Sequence, residues 1–227
     1  MSSRVVNFVR EGKKILGVLR NYRAHATELG NPVPKEPIFF LKPTTAYLSE
    51  SSDAKIVIPK GAEVHHEVEL AVVIGKNGRN IAVSDALSHV GGYALALDMT
   101  ARNYQQQAKE AGLPWFKGKC WDTFAPISEL ISKDAVEPSL QSGKLNLVLT
   151  VDGVQKQNAT TSSMIFDVAT IIAAASRVVT LEEGDVILTG TPEGVGPVSH
   201  GNIITARMID QSGKTISQIK FPVVAEQ

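Results

Sequence analysis

Cysteine is almost absent from this chain of 227 residues: Cys120 stands alone. That excludes an intramolecular disulfide framework and a cysteine-based zinc cluster, and it suits a reducing compartment. Net charge is absent too, since 23 basic residues balance 23 acidic ones. With no basic stripe, there is no electrostatic footprint for nucleic-acid phosphates or for an anionic membrane surface. No apolar run approaches the ~20 residues needed to cross a bilayer. Internal repeats, low-complexity tracts and linkers are also lacking, which leaves a single core as the economical organisation for a chain that is 43% hydrophobic. Residues 1–14 carry Arg4, Arg10, Lys13 and Lys14 against Glu11, but they do not make a convincing mitochondrial presequence. They read as an N-terminal extension, followed by one domain over 15–227.

What is present is mostly strand. Leu145, Leu147, Leu149 and Val151 alternate with Asn146, Val148 and Thr150 before the turn signal Asp152-Gly153. Residues 203–209 and 215–221 flank Asp210-Gln211-Ser212-Gly213-Lys214 in the same way. Three helices are predicted: 85–90 capped by Ser84, 101–111 capped by Thr100, and about 164–178. Gly112 and Pro114 supply a stop for the second. In the third, Ile165, Val168, Ile171, Ile172 and Ala175 recur at helical spacing, as a face that packs on a sheet would. The expected class is α+β, mainly β.

The chemistry gathers around acids in expensive places. His66-Glu67-Val68-Glu69 heads the apolar run Leu70-Ala71-Val72-Val73-Ile74, and Asp98 ends a second run, Tyr93-Ala94-Leu95-Ala96-Leu97. Buried carboxylates need a compensating cation. On a strand, Glu67 and Glu69 face the same side. Three carboxylates form a hard, all-oxygen ligand set that favours Mg²⁺ or Mn²⁺ over Zn²⁺ and leaves positions open for a bidentate ligand. The same spacing also fits a solvated edge strand, with Asp98 capping the helix that follows.

His25 and Glu28 stand three apart, where on a helical turn the carboxylate would orient the imidazole as a general base. By their spacing alone they fit a solvated helix face better, while Gly30-Asn31-Pro32 closes the segment as a lid-like turn would. Lys119 suits the stabilisation of developing negative charge, with Lys117 as a competitor. Cys120 reads as a small hydrophobe rather than a nucleophile. Gly190-Thr191-Pro192-Glu193-Gly194-Val195-Gly196 resembles a backbone anion cradle but lacks the Gly-Lys-Ser/Thr ending of a nucleotide loop. No role attaches to His65, His66, His89 or His200.

Four blocks, in order and suitably spaced, carry a family resemblance. They are His66-Glu67-Val68-Glu69-Leu70, Leu97-Asp98-Met99-Thr100-Ala101-Arg102, Ser162-Ser163-Met164-Ile165-Phe166 and Leu188-Thr189-Gly190-Thr191-Pro192-Glu193-Gly194-Val195-Gly196. Together they resemble the fumarylacetoacetate hydrolase superfamily, and within it the small single-domain acylpyruvases of mitochondria. The resemblance runs from about Arg20 to Phe221. It implies a mixed β-sandwich roll with a few helices, a homodimer, and Mg²⁺, or Mn²⁺ in its place, held by Glu67, Glu69 and Asp98. It also implies a lid dyad of His25 and Glu28, a catalytic Lys119, and substrate contacts from Arg20, Gln105 and Thr191. The implied compartment is the mitochondrion, with the cytoplasm as a second. Departures from the family pattern fall at Leu19, Asn103 and Gly118, where glycine, an acid and alanine are common.

The activity so implied is metal-dependent hydrolysis of acylpyruvates to pyruvate and a carboxylic acid, joined by decarboxylation of oxaloacetate through a shared enolate. Keto–enol tautomerisation of oxaloacetate is the alternative outlet. A non-catalytic 2-oxo-acid-binding homologue is the alternative of another class. Partners are then small 2-oxo acids, with oxalate as an inhibitor and no nucleic acid or membrane.

Overall fold

The computed structural model describes residues 2–24 and 33–226. His25 and Glu28 lie outside the described residues. A seven-stranded mixed sheet forms the spine, in the order β2-β1-β12-β6-β7-β9-β3. Its strands are β1 (Ile15–Leu19), β2 (Ile38–Lys42), β3 (Tyr47–Ser49), β6 (Val68–Ile74), β7 (Val90–Leu97), β9 (Ala125–Ile127) and β12 (Val186–Leu188). A five-stranded sheet packs on it in the order β11-β10-β14-β15-β4. It is built from β4 (Ile56–Ile58), β10 (Asn146–Val151), β11 (Val154–Thr160), β14 (Ile203–Ile209) and β15 (Thr215–Ala225). A small sheet of β13 (Gly196–Pro197), β5 (Val64–His66) and β8 (Thr100–Ala101) closes one end. The expected mainly-β roll is what the chain adopts.

Strand β6 sits inside the spine, buried on both faces along its whole length. This is why its sequence from Leu70 to Ile74 is a continuous apolar run without alternation. Leu70 and Val72 enter the larger core between the sheets, while Ala71 and Val73 enter a second core on the opposite face. That second core also contains Val5 and Phe8, from the short helices α1 (Ser3–Val6) and α2 (Phe8–Glu11). The N-terminal extension is therefore packed onto the sheet.

Both predicted hairpins form, as β10–β11 and β14–β15. Two of the three predicted helices form, with shifted starts. In place of a helix over 85–90 there is a 3-10 turn, Ala86–His89, entered from Asp85. The Asp85 carboxylate accepts from Ser88 Oγ at 2.7 Å, a local bond that competes with a regular helix start. The second helix, α3, is Arg102–Glu110; Thr100 does not cap it, because Thr100 and Ala101 are paired with His65 and Val64 in the small sheet. Its stop is as expected: Gly112 has φ +64°, and the Leu113 and Gly112 amides donate to Ala108 O (2.8 Å) and Lys109 O (3.2 Å).

The last helix, α6, is Val168–Val178 rather than 164–178. Asn21 holds the preceding segment extended, accepting from Ile165 N on its carbonyl (2.7 Å) and from Phe166 N on Oδ1 (2.8 Å). Asp167 then caps the helix through Thr170 N at 2.8 Å. Among the described residues, α4 (Phe116–Lys119) and α5 (Lys133–Gln141) were not predicted, nor were the short α1 and α2; α5 contains Pro138, which breaks the usual signal.

Candidate metal and substrate site

The antiparallel register of β6 and β7 brings the acids together. Val68 pairs with Leu97, and Asp98 N donates to Glu67 O at 2.8 Å, so Glu67 and Asp98 stand opposite each other with Glu69 two residues along. One ligand oxygen from each of Glu67, Glu69 and Asp98 lies within 4.8 Å of the others. The three residues are only 5%, 2% and 1% exposed, which overturns the solvated-edge reading and the helix-cap role for Asp98.

Cations compensate two of the three carboxylates. Lys119 Nζ, itself buried, reaches Glu67 Oε2 (3.0 Å), Asp98 Oδ2 and Thr100 Oγ1 (2.6 Å). Lys42 Nζ donates to Asp98 Oδ1 at 2.7 Å and to Met99 O at 3.1 Å. Arg102 pairs with Glu67 Oε1 and donates to Gln105 Oε1 at 2.7 Å. Burial alone would raise the Glu67 carboxyl, but Lys119 and Arg102 outweigh it and hold the group well below the usual carboxylate range. Burial would likewise strip the proton from Lys119, yet Asp98 and Glu67 more than offset that and keep it firmly charged. Lys42 goes the other way: its burial outweighs the attraction of Asp98, and its proton affinity falls.

Glu69 has no such partner. Only Gly190 N, at 2.6 Å, donates to it among the described residues. Burial, then Asp98 and Glu67, push its carboxyl well above the usual range. The "anion cradle" of the glycine loop thus serves a carboxylate of the chain itself. Gly190 has φ +98°, and a Cβ there would stand 2.7 Å from Asn21 Cβ, so glycine alone permits this approach.

Thr191 Oγ1 donates to Val68 O at 2.9 Å and accepts from Gln157 Nε2 at 2.8 Å. Gln157, reaching across from β11, also donates to Pro192 O (3.0 Å), while its Oε1 takes Val68 N and His66 Nδ1 (both 3.0 Å). All four hydrogen-bonding positions of its amide are therefore used.

These groups open on a cavity of about 230 Å³. Glu67, Glu69, Asp98, Lys119, Arg20, Gln105 and Thr191 all line it, so every described residue singled out from the sequence converges there. Lys117, the competitor of Lys119, is exposed. Leu19 also lines the cavity, and Arg20 beside it has φ +52°. Gly118 lets α4 approach α3, since a Cβ there would meet Gln105 Cβ at 2.9 Å. Asn103 latches the neighbouring loop through Glu63 N (3.0 Å) and Gly61 O (2.8 Å).

The fumarylacetoacetate hydrolase C-terminal family profile matches residues 14–224. The chain belongs to this family. Among its relatives, the mitochondrial oxaloacetate tautomerase FAHD2 of Oryza sativa subsp. japonica is 52% identical over 209 residues, covering 91% of each chain. The mitochondrial oxaloacetate decarboxylase of Dictyostelium discoideum is 49% identical, over 87% of this chain and 89% of that one. The solved fumarylpyruvate hydrolase of Pseudomonas aeruginosa, in complex with Mn²⁺ and pyruvate, is 35% identical with a TM-score of 0.82, over 94% of this chain and 90% of its own.

The sequence reading missed Lys42, Gln157 and Asn21 and gave Arg102 no role. Lys42 had a visible signal, a charge ending the apolar strand Ile38-Phe39-Phe40-Leu41. Gln157 had none: it sits in a polar stretch of β11, and its partners lie about ninety residues before it and thirty-odd after.

Proposed function

We propose that this chain is a divalent-metal-dependent enzyme that converts 2-oxo acids, oxaloacetate foremost, through an enolate. The observation that carries the reading is Glu69: a buried carboxylate beside two others, with no cation in direct contact with it among the described residues. Three hard oxygen donors with one uncompensated charge fit Mg²⁺ or Mn²⁺. Glu67, Glu69 and Asp98 would hold the ion, and the names of the relatives support the oxaloacetate assignment. Their names also support a mitochondrial location.

A bound divalent ion supplies Lewis-acid polarisation of the 2-oxo-carboxylate. The chain's own residues do the rest. Arg20, Gln105 and Thr191 orient the substrate in the cavity. Lys119 keeps a fixed positive charge beside the place where enolate charge develops. Val18, Phe40 and Trp115 give the cavity an apolar wall that limits water.

In tautomerisation a proton leaves C3 and the C2 oxygen is protonated. In decarboxylation the C3–C4 bonding pair forms the C2–C3 double bond as CO₂ departs and the C2 carbonyl π pair moves onto oxygen; protonation at C3 then restores the carbonyl. Hydrolysis of an acylpyruvate needs in addition a water activated by His25, oriented by Glu28. That water adds to the distal carbonyl before the C–C bond breaks.

The test is to incubate the purified chain with Mg²⁺ and oxaloacetate, following enol absorbance and pyruvate separately, with acetylpyruvate run in parallel. Turnover abolished by chelator and inhibited by oxalate is expected; full activity in chelated buffer would defeat the metal reading. His25→Ala should depress acylpyruvate cleavage far more than oxaloacetate decarboxylation. Equal losses would remove the dyad from the hydrolytic step.

A further inference from the structure

Among the described residues, four cations line the cavity: Arg20, Arg102, Lys109 and Lys119. Two of them are committed to the acids, Lys119 to Glu67 and Asp98 and Arg102 to Glu67. Among the described residues, Arg20 and Lys109 have no carboxylate partner. Lys109 is the one that neither the family resemblance nor the mechanism uses.

Its position follows from the helix. Arg102, Gln105 and Lys109 are spaced i, i+3, i+7 on α3, which places them on one face, and all three line the cavity. The seven residues from Arg102 to Lys109 advance about 10 Å along the axis, leading from the acids toward the mouth. Helical side chains lean toward the N-terminus, so Lys109 leans back over Gln105. Its Nζ lies 5.2 Å from the centroid of Trp115, whose ring meets Phe40 at 6.3 Å. The aromatic face restrains the ammonium at the rim of the cavity. Partial desolvation, then the like charges of Arg102 and Arg20, lower its affinity for a proton, a crowding that a bound anion relieves.

We propose that Lys109 is a specificity-determining residue that receives the distal carboxylate of dicarboxylic 2-oxo acids and so favours them over 2-oxo acids with a neutral end. This rests on the 2-oxo-acid reading above and adds to it a subsite for the second charge. An ammonium on a long stem matches a carboxylate as a point charge, without demanding the bidentate geometry of arginine.

The test compares wild type, Lys109→Met and Lys109→Arg in Mg²⁺, with oxaloacetate and acetylpyruvate as substrates. Methionine keeps most of the stem and removes the charge. The ratio of kcat/KM for oxaloacetate to that for acetylpyruvate should fall about tenfold or more in Lys109→Met, chiefly through KM for oxaloacetate, and stay within about threefold of wild type in Lys109→Arg. A ratio unchanged in Lys109→Met overturns the inference even where both substrates are turned over. If wild type turns over neither substrate, the catalytic reading fails separately. Calorimetry on Mn²⁺-loaded protein then decides the subsite. 2-Oxoglutarate should bind more tightly than 2-oxopentanoate to wild type, and Lys109→Met should lose the preference. Equal affinities in wild type overturn the proposal.

Discussion

At the scale of single residues, the site is a balance of buried charge in which Glu69 is left uncompensated. Because burial, Asp98 and Glu67 favour its neutral form, folding stabilises the protonated carboxyl. In the metal-free protein that contribution is present below the ordinary carboxylate range and is lost as pH rises through the raised value. A metal must displace the proton, so affinity for Mn²⁺ should tighten with rising pH over the same window and binding should release protons. Calorimetry in buffers of different ionisation enthalpy reads this directly; a pH-independent affinity would contradict it. Glu69→Gln should abolish metal binding. Gln157 is tested by Gln157→Glu, which keeps the acceptors for Val68 N and His66 but turns carboxylate oxygen against Pro192 O and removes a donor to Thr191. A loss of about 1–3 kcal/mol of stability is expected from urea unfolding.

At the scale of elements, register does most of the work. A one-residue slip of β6 against β7 would turn the acids away from one another and exchange the side chains that enter the two cores, Leu70 and Val72 for Ala71 and Val73. The start of α6 depends on its side-chain cap more than on periodicity. Ile165 has the spacing of α6 but lies outside it, because Asn21 claims the backbone there and Asp167 begins the helix. Asp167→Ala should therefore cost about 1 kcal/mol, visible as a lowered urea midpoint with activity retained. Hairpin turns and the Gly112 stop were legible beforehand because their signals are local. α5 was not, since Pro138 interrupts its pattern and it is tertiary burial of Val136 and Ser139 that sustains it.

At the scale of the whole molecule, two cores share the seven-stranded sheet. Phe8 is 1% exposed in the second, edge-on to Tyr47 at 6.2 Å, and links the N-terminal residues to the strands that carry the acids. Phe8→Ala should cost about 3 kcal/mol or more by chemical denaturation. A destabilisation under ~1 kcal/mol, the size of an exposed-surface change, would show that the N-terminal helices are dispensable. Assembly as a homodimer is the family's expectation, and light scattering on the purified chain would check it.

The sequence by itself determined the fold class and, through its motifs, the family; it pointed to the acids because carboxylates at the head of apolar runs are costly to bury, but their spacing alone also fitted a solvated edge. It also singled out Lys119, Arg20, Gln105 and Thr191, though only through motifs shared with relatives. What tertiary structure alone decided was the pairing of charges: which lysine is buried, that Lys42 reaches Asp98, that Gln157 joins Thr191 to Val68, and that among the described residues no cation pairs directly with Glu69. Such pairings depend on distances between residues far apart in the chain. Local pattern contains no information about those distances until the strands have found their register.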